Sequence, residues 1–385
     1  MRQFIVVAGL LLIFLSSVLR ADTLTHTTAS LSTSHVEYAA TSAGGEAFFA
    51  GGTFTNNVVD IYTQSTHSWS TSTLSVGRFD LGAASWGNLA FFAGGYSNAY
   101  SSVVDIYNTT NHQWTTAALS QPRSDAVGVS TNGMVLFAGG QSTGDSLSNV
   151  VDIYNVAANS WSTAQLSVAR ESLAGTAVGN LAIFAGGNTG SVSPSTAVDI
   201  YNSSTKTWST STMPIGLIDP SATSVGNLAI FAGGETNGNS SSGTTAVDIY
   251  NTVTGIWSTA NLSQPRDSLA ATTVGNDALF GGGDSISGSG AVTESNVVDI
   301  YSTLTNSWSA TTLSVGRDSL AATTVGTQAL FAGGEGTNGN STAVDIYSDQ
   351  LPVPEPTSAA VIIIAAAPLL CSRRHRSDRR ISYRG

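Results

Sequence analysis

The sequence predicts an all-β fold built from seven repeated four-strand units, and three observations carry that prediction. A Gly-Gly pair ends an apolar run seven times, at 51–52, 94–95, 139–140, 186–187, 233–234, 282–283 and 333–334. Val-Asp-Ile-Tyr follows each pair, ending at Tyr62, Tyr107, Tyr154, Tyr201, Tyr250, Tyr301 and Tyr347. A tryptophan stands seven residues beyond the first six of these tyrosines, at Trp69, Trp114, Trp161, Trp208, Trp257 and Trp308. Successive Gly-Gly pairs lie 43, 45, 47, 47, 49 and 51 residues apart, so one structural unit recurs along the chain.

Each unit holds four short runs of β-type residues bounded by Gly, Asn or Thr. Around the sixth unit these are 319–325, 328–332, 297–301 and 307–312, drawn from adjacent repeats. A sheet of that size has two faces to bury and cannot stand alone. Packed radially, each sheet buries both faces against its neighbours. The Tyr and Trp rings, at about 150–250 Å² each, supply much of that contact. Gly-Gly after the second run permits positive φ or a close backbone approach. Composition agrees: 40 glycines, 10% charged residues and a single lysine, Lys206, suit short strands and small polar turns rather than amphipathic helices.

The Gly-Gly, Tyr, Trp order at a period near 50 resembles the Kelch repeat, over most of the span from His26 to Tyr347. The resemblance implies a seven-bladed β-propeller of Kelch type. The seventh unit has Gly333-Gly334 and Tyr347 but no following Trp run. His26 to Leu31 matches 114–119 in pattern, and His26 precedes Gly51 by 25 residues, as Trp69 precedes Gly94. The N-terminal run is therefore expected to complete the last blade, with His26 where Trp is expected, removing an open sheet edge.

The two ends differ from the body. Met1 to Ala21 has a charged start, an apolar run from Phe4 to Leu15 and a small residue before a cut after Ala21, the pattern of a secretory signal peptide. Residues 351–385 carry Pro354-Glu355-Pro356, an apolar stretch of about 15 residues, short for a span of ~20, and an arginine cluster from Arg373 to Arg384. That order resembles the bacterial PEP-CTERM sorting signal. It implies an exosortase-type processing enzyme as partner, transient membrane contact through the termini, and delivery to the cell surface or extracellular matrix. The body, 22–350, is thus read as one exported propeller domain. It carries 23 Asp and Glu against 6 Lys and Arg, a charge that repels phosphate backbones and argues against nucleic acid as partner. The only cysteine, Cys371, lies in the tail, so no intrachain disulfide and no Cys-based zinc cluster is expected.

Two sets of residues are candidates for a contact surface. An arginine precedes the first strand of most units, at Arg78, Arg123, Arg170, Arg266 and Arg317, with Leu217 and His35 in the equivalent places. The Asp of every Val-Asp-Ile-Tyr either forms a ring of carboxylates or pairs with a strand end, turn amide or repeat arginine; its presence in every unit favours pairing. The loop between Gly-Gly and Val-Asp-Ile-Tyr varies most, and carries Phe54, Tyr96, Tyr100, Asp145, Glu235, Asp284, Glu294 and Glu335. In Kelch propellers this loop shares a face with the loop before the arginine, and loops on a rigid scaffold are where binding concentrates. These residues and the five arginines form the expected binding face, for a protein or a polysaccharide at the cell surface; the acidic loops are also candidates for calcium.

Catalytic signals are weak. The propeller resembles that of galactose oxidase, but the body lacks the cysteine such a copper site needs, and His26, His35, His67 and His112 are spread along the repeats. Asp boxes of sialidase type are absent. A sugar mutarotase or epimerase using the axis is the enzyme alternative, with no distinctive constellation to mark it. The glycine run from Gly281 to Gly290 enters no helix and is not a phosphate loop. The Asn-x-Ser/Thr triplets at Asn108, Asn202, Asn239, Asn261 and Asn340 are read as turns, given the bacterial sorting signal. No catalytic residue, cofactor or metal is assigned, and a non-catalytic binding module is the expectation.

Overall fold

The computed structural model describes residues 24–349, except 37, 53–54, 191–192, 238–242 and 287–291. The segments read as a signal peptide and a sorting signal, and Phe54, lie outside the described residues. Among those described, seven four-stranded antiparallel sheets follow one another, the architecture of a β-propeller. Sheet one comprises Tyr38–Ala43, Glu46–Gly51, Val58–Thr63 and Ser68–Thr73, hydrogen-bonded in that order. Sheets two to six repeat it, starting at Gly82, Val127, Ala174, Ser221 and Ala270. In sheet seven, Ala321–Val325, Gln328–Ala332 and Ala343–Ser348 are joined by Thr25–Ser30. His26 there lies opposite Tyr347, as Trp69 lies opposite Tyr62. The first strands of successive sheets touch, and Ala321–Val325 also touches Tyr38–Ala43.

Burial rises from the fourth strand to the second. The Phe48, Phe91, Leu136, Ile183, Ile230, Leu279 and Leu330 side chains of the second strands are fully buried, whereas the fourth strands are mostly exposed apart from their aromatic position. Each core lies between two adjacent sheets: Phe48, Val59, Ile61 and Leu74 of sheet one pack with Phe92, Tyr107 and Trp114 of sheet two. This is the radial burial that the repeat pattern requires.

The Gly-Gly pairs do adopt positive φ, for example 67° and 94° at Gly94 and Gly95. A Cβ on Gly94 would lie 2.4 Å from the Arg123 carbonyl oxygen, so the turn needs glycine for space as well as for φ. One expected boundary moves: the run beginning at Ser319 forms strand only from Ala321, because Ser319 takes φ 49°.

Candidate functional site

The five arginines occupy the interior, which corrects the expectation that they line the binding face. Arg78, Arg123, Arg170, Arg266 and Arg317 are all fully buried. Each pairs with the aspartate on the third strand of its own sheet: Arg78 with Asp105, Arg123 with Asp152 at 2.8 Å, Arg170 with Asp199 at 2.5 Å, Arg266 with Asp299 at 2.5 Å, and Arg317 with Asp345 at 2.7 Å. The guanidinium groups also donate to main-chain carbonyls; Arg266 reaches Gly282 and Val297, each at 2.7 Å. Each aspartate in addition accepts an amide from the linker before its sheet, such as Ser120 to Asp152 at 2.9 Å. One buried ion pair thus ties linker, Gly-Gly turn and third strand together. A buried charge needs this compensation, and a guanidinium so committed is out of reach of an external ligand.

Two sheets depart from the pattern. In sheet one, His35 replaces arginine; its Nε2 lies 3.1 Å from Asp60 and its Nδ1 lies 2.6 Å from the Gly51 carbonyl oxygen. In sheet five, Leu217 stands at the arginine position, and no cation among the described residues pairs with Asp248. Asp248 Oδ2 accepts the Ile215 amide at 3.0 Å, while Oδ1 is buried and unpartnered. Burial pushes its carboxyl up to about 6, against the lowering by the Ile215 amide.

The variable loops do meet the segments after the arginines. Bridges join Phe79 to Tyr96, Glu171 to Asn188, Ile218 to Glu235, Asp267 to Asp284 and Asp318 to Glu335. The expected loop residues fall into two groups. Tyr96 and Tyr100 form an edge-to-face pair at 5.1 Å, and Tyr100 donates to Gln141 at 2.7 Å or to Asp145 at 2.8 Å. Asp284 and Glu294 are paired across a short hairpin, and Thr337 donates to Glu294 at 2.9 Å. Asp267 and Asp318 join this second group. Burial, a hydrogen bond with Asp318 and the negative charge of Asp318, Asp267 and Glu294 push Asp284 up to about 8. Burial, Glu235 and Asp318 push Asp267 up to about 6. Among the described residues, no group of three or more His, Cys, Asp or Glu is arranged to hold a metal.

The residues that sequence reasoning missed lie two positions after each arginine place. Asp80, Asp125, Ser172, Asp219, Ser268 and Ser319 all have φ between 49° and 55°. Their backbones link neighbours, Asp125 N–H to the Asp80 carbonyl at 3.1 Å and Asp219 N–H to that of Ser172 at 2.9 Å. Four of them line a cavity of about 350 Å³ with Tyr38, Leu81, Leu173 and the starts of the first strands. Asp125 and Asp219 meet no Arg, Lys or His among the described lining residues. Burial raises Asp125, and burial with the charges of Asp125, Glu235 and Asp267 pushes Asp219 up to about 7, although Asp219 as a residue remains exposed. The signal was present as an Arg-x-Asp/Ser spacing, but only the convergence of the first strands gives it meaning.

Comparison with known proteins supports the fold. A solved structure titled "Structure of YjhT" superimposes with a TM-score of 0.56 at 17% identity, covering 71% of this chain and 94% of that one. The chain shares the β-propeller fold. No protein-family model and no curated protein matches the sequence.

Proposed function

We propose that this chain is an exported, seven-bladed Kelch-type propeller, closed by its N-terminal strand, that acts at the cell surface as a non-catalytic binding module. Its ligand is a cationic group: a basic segment of a protein, or an amine-bearing polysaccharide. The observation that carries this reading is the charge of one face, where Asp125 and Asp219 line a cavity whose described lining holds no Arg, Lys or His, and Asp267, Asp284, Asp318 and Glu294 crowd beside it. Carboxyls whose ionisation is opposed by their neighbours gain most from an incoming positive charge. Export and surface delivery rest on the two terminal segments, with processing by an exosortase-type enzyme.

The test is binding of a polylysine peptide and of partly deacetylated chitin oligomers at low and high salt. Affinity should fall steeply between 50 mM and 500 mM salt (a roughly threefold shorter screening length). It should weaken about tenfold in Asp125→Asn/Asp219→Asn. Equal binding of polylysine and polyglutamate would refute the reading.

A carbohydrate-active enzyme of mutarotase or epimerase type is the second reading. It is favoured by Asp219, whose carboxyl near neutrality is suited to proton transfer. The acidic lining opposes an anionic sugar acid, so a neutral sugar is the substrate to assay. Anomer interconversion that disappears in Asp219→Asn would replace the binding reading with this one.

A further inference from the structure

The seam between sheets six and seven lacks the tryptophan that packs into each of the other six among the described residues. In sheets one to six the tryptophan of the fourth strand lies 4.9–5.3 Å from the tyrosine opposite it. It also lies 5.9–6.5 Å from a second-strand phenylalanine. The indole reaches across to the preceding sheet. Trp114 donates its ring N–H to the Ser72 hydroxyl at 2.8 Å, and Trp257 donates to Ser211 at 3.0 Å. Both acceptors stand three residues after the tryptophan of their own sheet.

In sheet seven the indole is replaced by the smaller imidazole of His26. That ring lies flat on Tyr347, with centroids 4.6 Å apart and planes 8° from parallel. Its Nε2 is held 2.7 Å from Asp345, the partner of Arg317. The imidazole is thereby committed to its own sheet. A cavity of about 350 Å³ opens at this seam, lined by His26, Tyr347, Leu24, Ile300, Ser309 and Thr311. Thr311 stands three residues after Trp308, the register of Ser72 after Trp69 and of Ser211 after Trp208. The core at this seam accordingly contains Ile300, Tyr347 and Phe331 but no tryptophan.

We infer that this seam is a binding site for a flat aromatic ring carrying an N–H donor, the indole class. The ring fills the space at this seam that the imidazole, smaller than the indole found elsewhere, leaves open beside His26, and its N–H donates to the Thr311 hydroxyl. Apolar ring area moves out of water against Ile300 and Tyr347, and a cavity left by a smaller side chain accepts a ring of the missing shape. The hydroxyls of Ser309 and Thr311 select a ring with a donor over a plain hydrocarbon. This inference does not rest on the acidic face.

The experiment titrates the full chain with indole and with 1-methylindole, which lacks the donor, followed by ligand-observed NMR and calorimetry. N-acetyl-tryptophanamide is run beside them, to separate a ring carried on a polypeptide from a free small molecule; saturable binding of it or of indole supports the site. Indole should bind in roughly the millimolar range, as suits so small a ligand. 1-Methylindole should bind about two- to tenfold more weakly, the worth of one hydrogen bond. Thr311→Val should bring indole down to the level of 1-methylindole and leave 1-methylindole unchanged. His26→Trp should abolish binding of all three, and the Thr311→Val arm decides the matter should that variant fail to fold. Absence of saturable binding by the natural chain, or an unchanged preference for indole in Thr311→Val, would overturn the inference.

Discussion

Sheets five and seven hold the same aspartate in the same place and treat it oppositely. In sheet seven, Asp345 faces Arg317 at 2.7 Å and His26 at 2.7 Å, and also accepts the Ser314 amide at 2.8 Å. Burial pushes its carboxyl up, but Arg317, the Ser314 amide and His26 more than reverse this and hold it below the ordinary range. In sheet five, Asp248 keeps only the Ile215 amide, and burial raises it to about 6. The strand geometry is shared, so the difference reflects the partners that Asp345 has and Asp248 lacks, Arg317 first and His26 beside it: together they favour the ionised aspartate. The pH dependence is therefore opposite in the two sheets. A raised carboxyl releases its proton more readily unfolded, so the Asp248 contribution weakens as pH rises from about 4 to about 6. A depressed one acts the other way, so the Asp345 contribution is present at neutral pH and is lost as pH falls through its folded value.

Three substitutions sharpen this contrast. The largest effect belongs to Asp345→Asn, which leaves Arg317 buried without a counter-charge and should cost about 3–5 kcal/mol in urea unfolding at pH 7. Asp248→Asn should do the reverse, raising stability at pH 7 by up to about 3 kcal/mol, with the gain fading towards pH 3. A loss of stability at pH 7 in that variant would mean that Asp248 has a cationic partner after all. The smallest net change is expected for Leu217→Arg, within about 1 kcal/mol at neutral pH, since a buried ion pair and the apolar packing it replaces roughly balance. Its signature is in the slope: the decline in stability between pH 4 and 6 should flatten. The backbone is ready for arginine there, because the Leu217 carbonyl accepts the Gly187 amide at 2.7 Å as that of Arg170 accepts Gly140 at 3.0 Å.

The repeat was legible because it is local. Each Gly-Gly, Val-Asp-Ile-Tyr and Trp marks a strand end or an aromatic position within one sheet, and the pairing of His26 with Tyr347 followed from counting residues. The inward placement of the arginines was half legible. Their recurrence beside a recurring aspartate pointed to pairing, yet the same periodicity also allowed an exposed ring. Burial decides between these, and burial depends on the sheets on either side.

By itself, then, the sequence determined the four-strand unit and the register of the strand that starts near His26, since these depend on side-chain alternation and turn chemistry within a repeat. Tertiary structure alone decided that Asp80, Asp125 and Asp219 line one cavity, that Asp267, Asp284 and Asp318 crowd together, and that the seam at His26 is hollow. Asp80, Asp125 and Asp219, 45 and 94 positions apart in turn, come together only because successive sheets pack side by side, and no spacing within one repeat encodes what the next sheet presents to it.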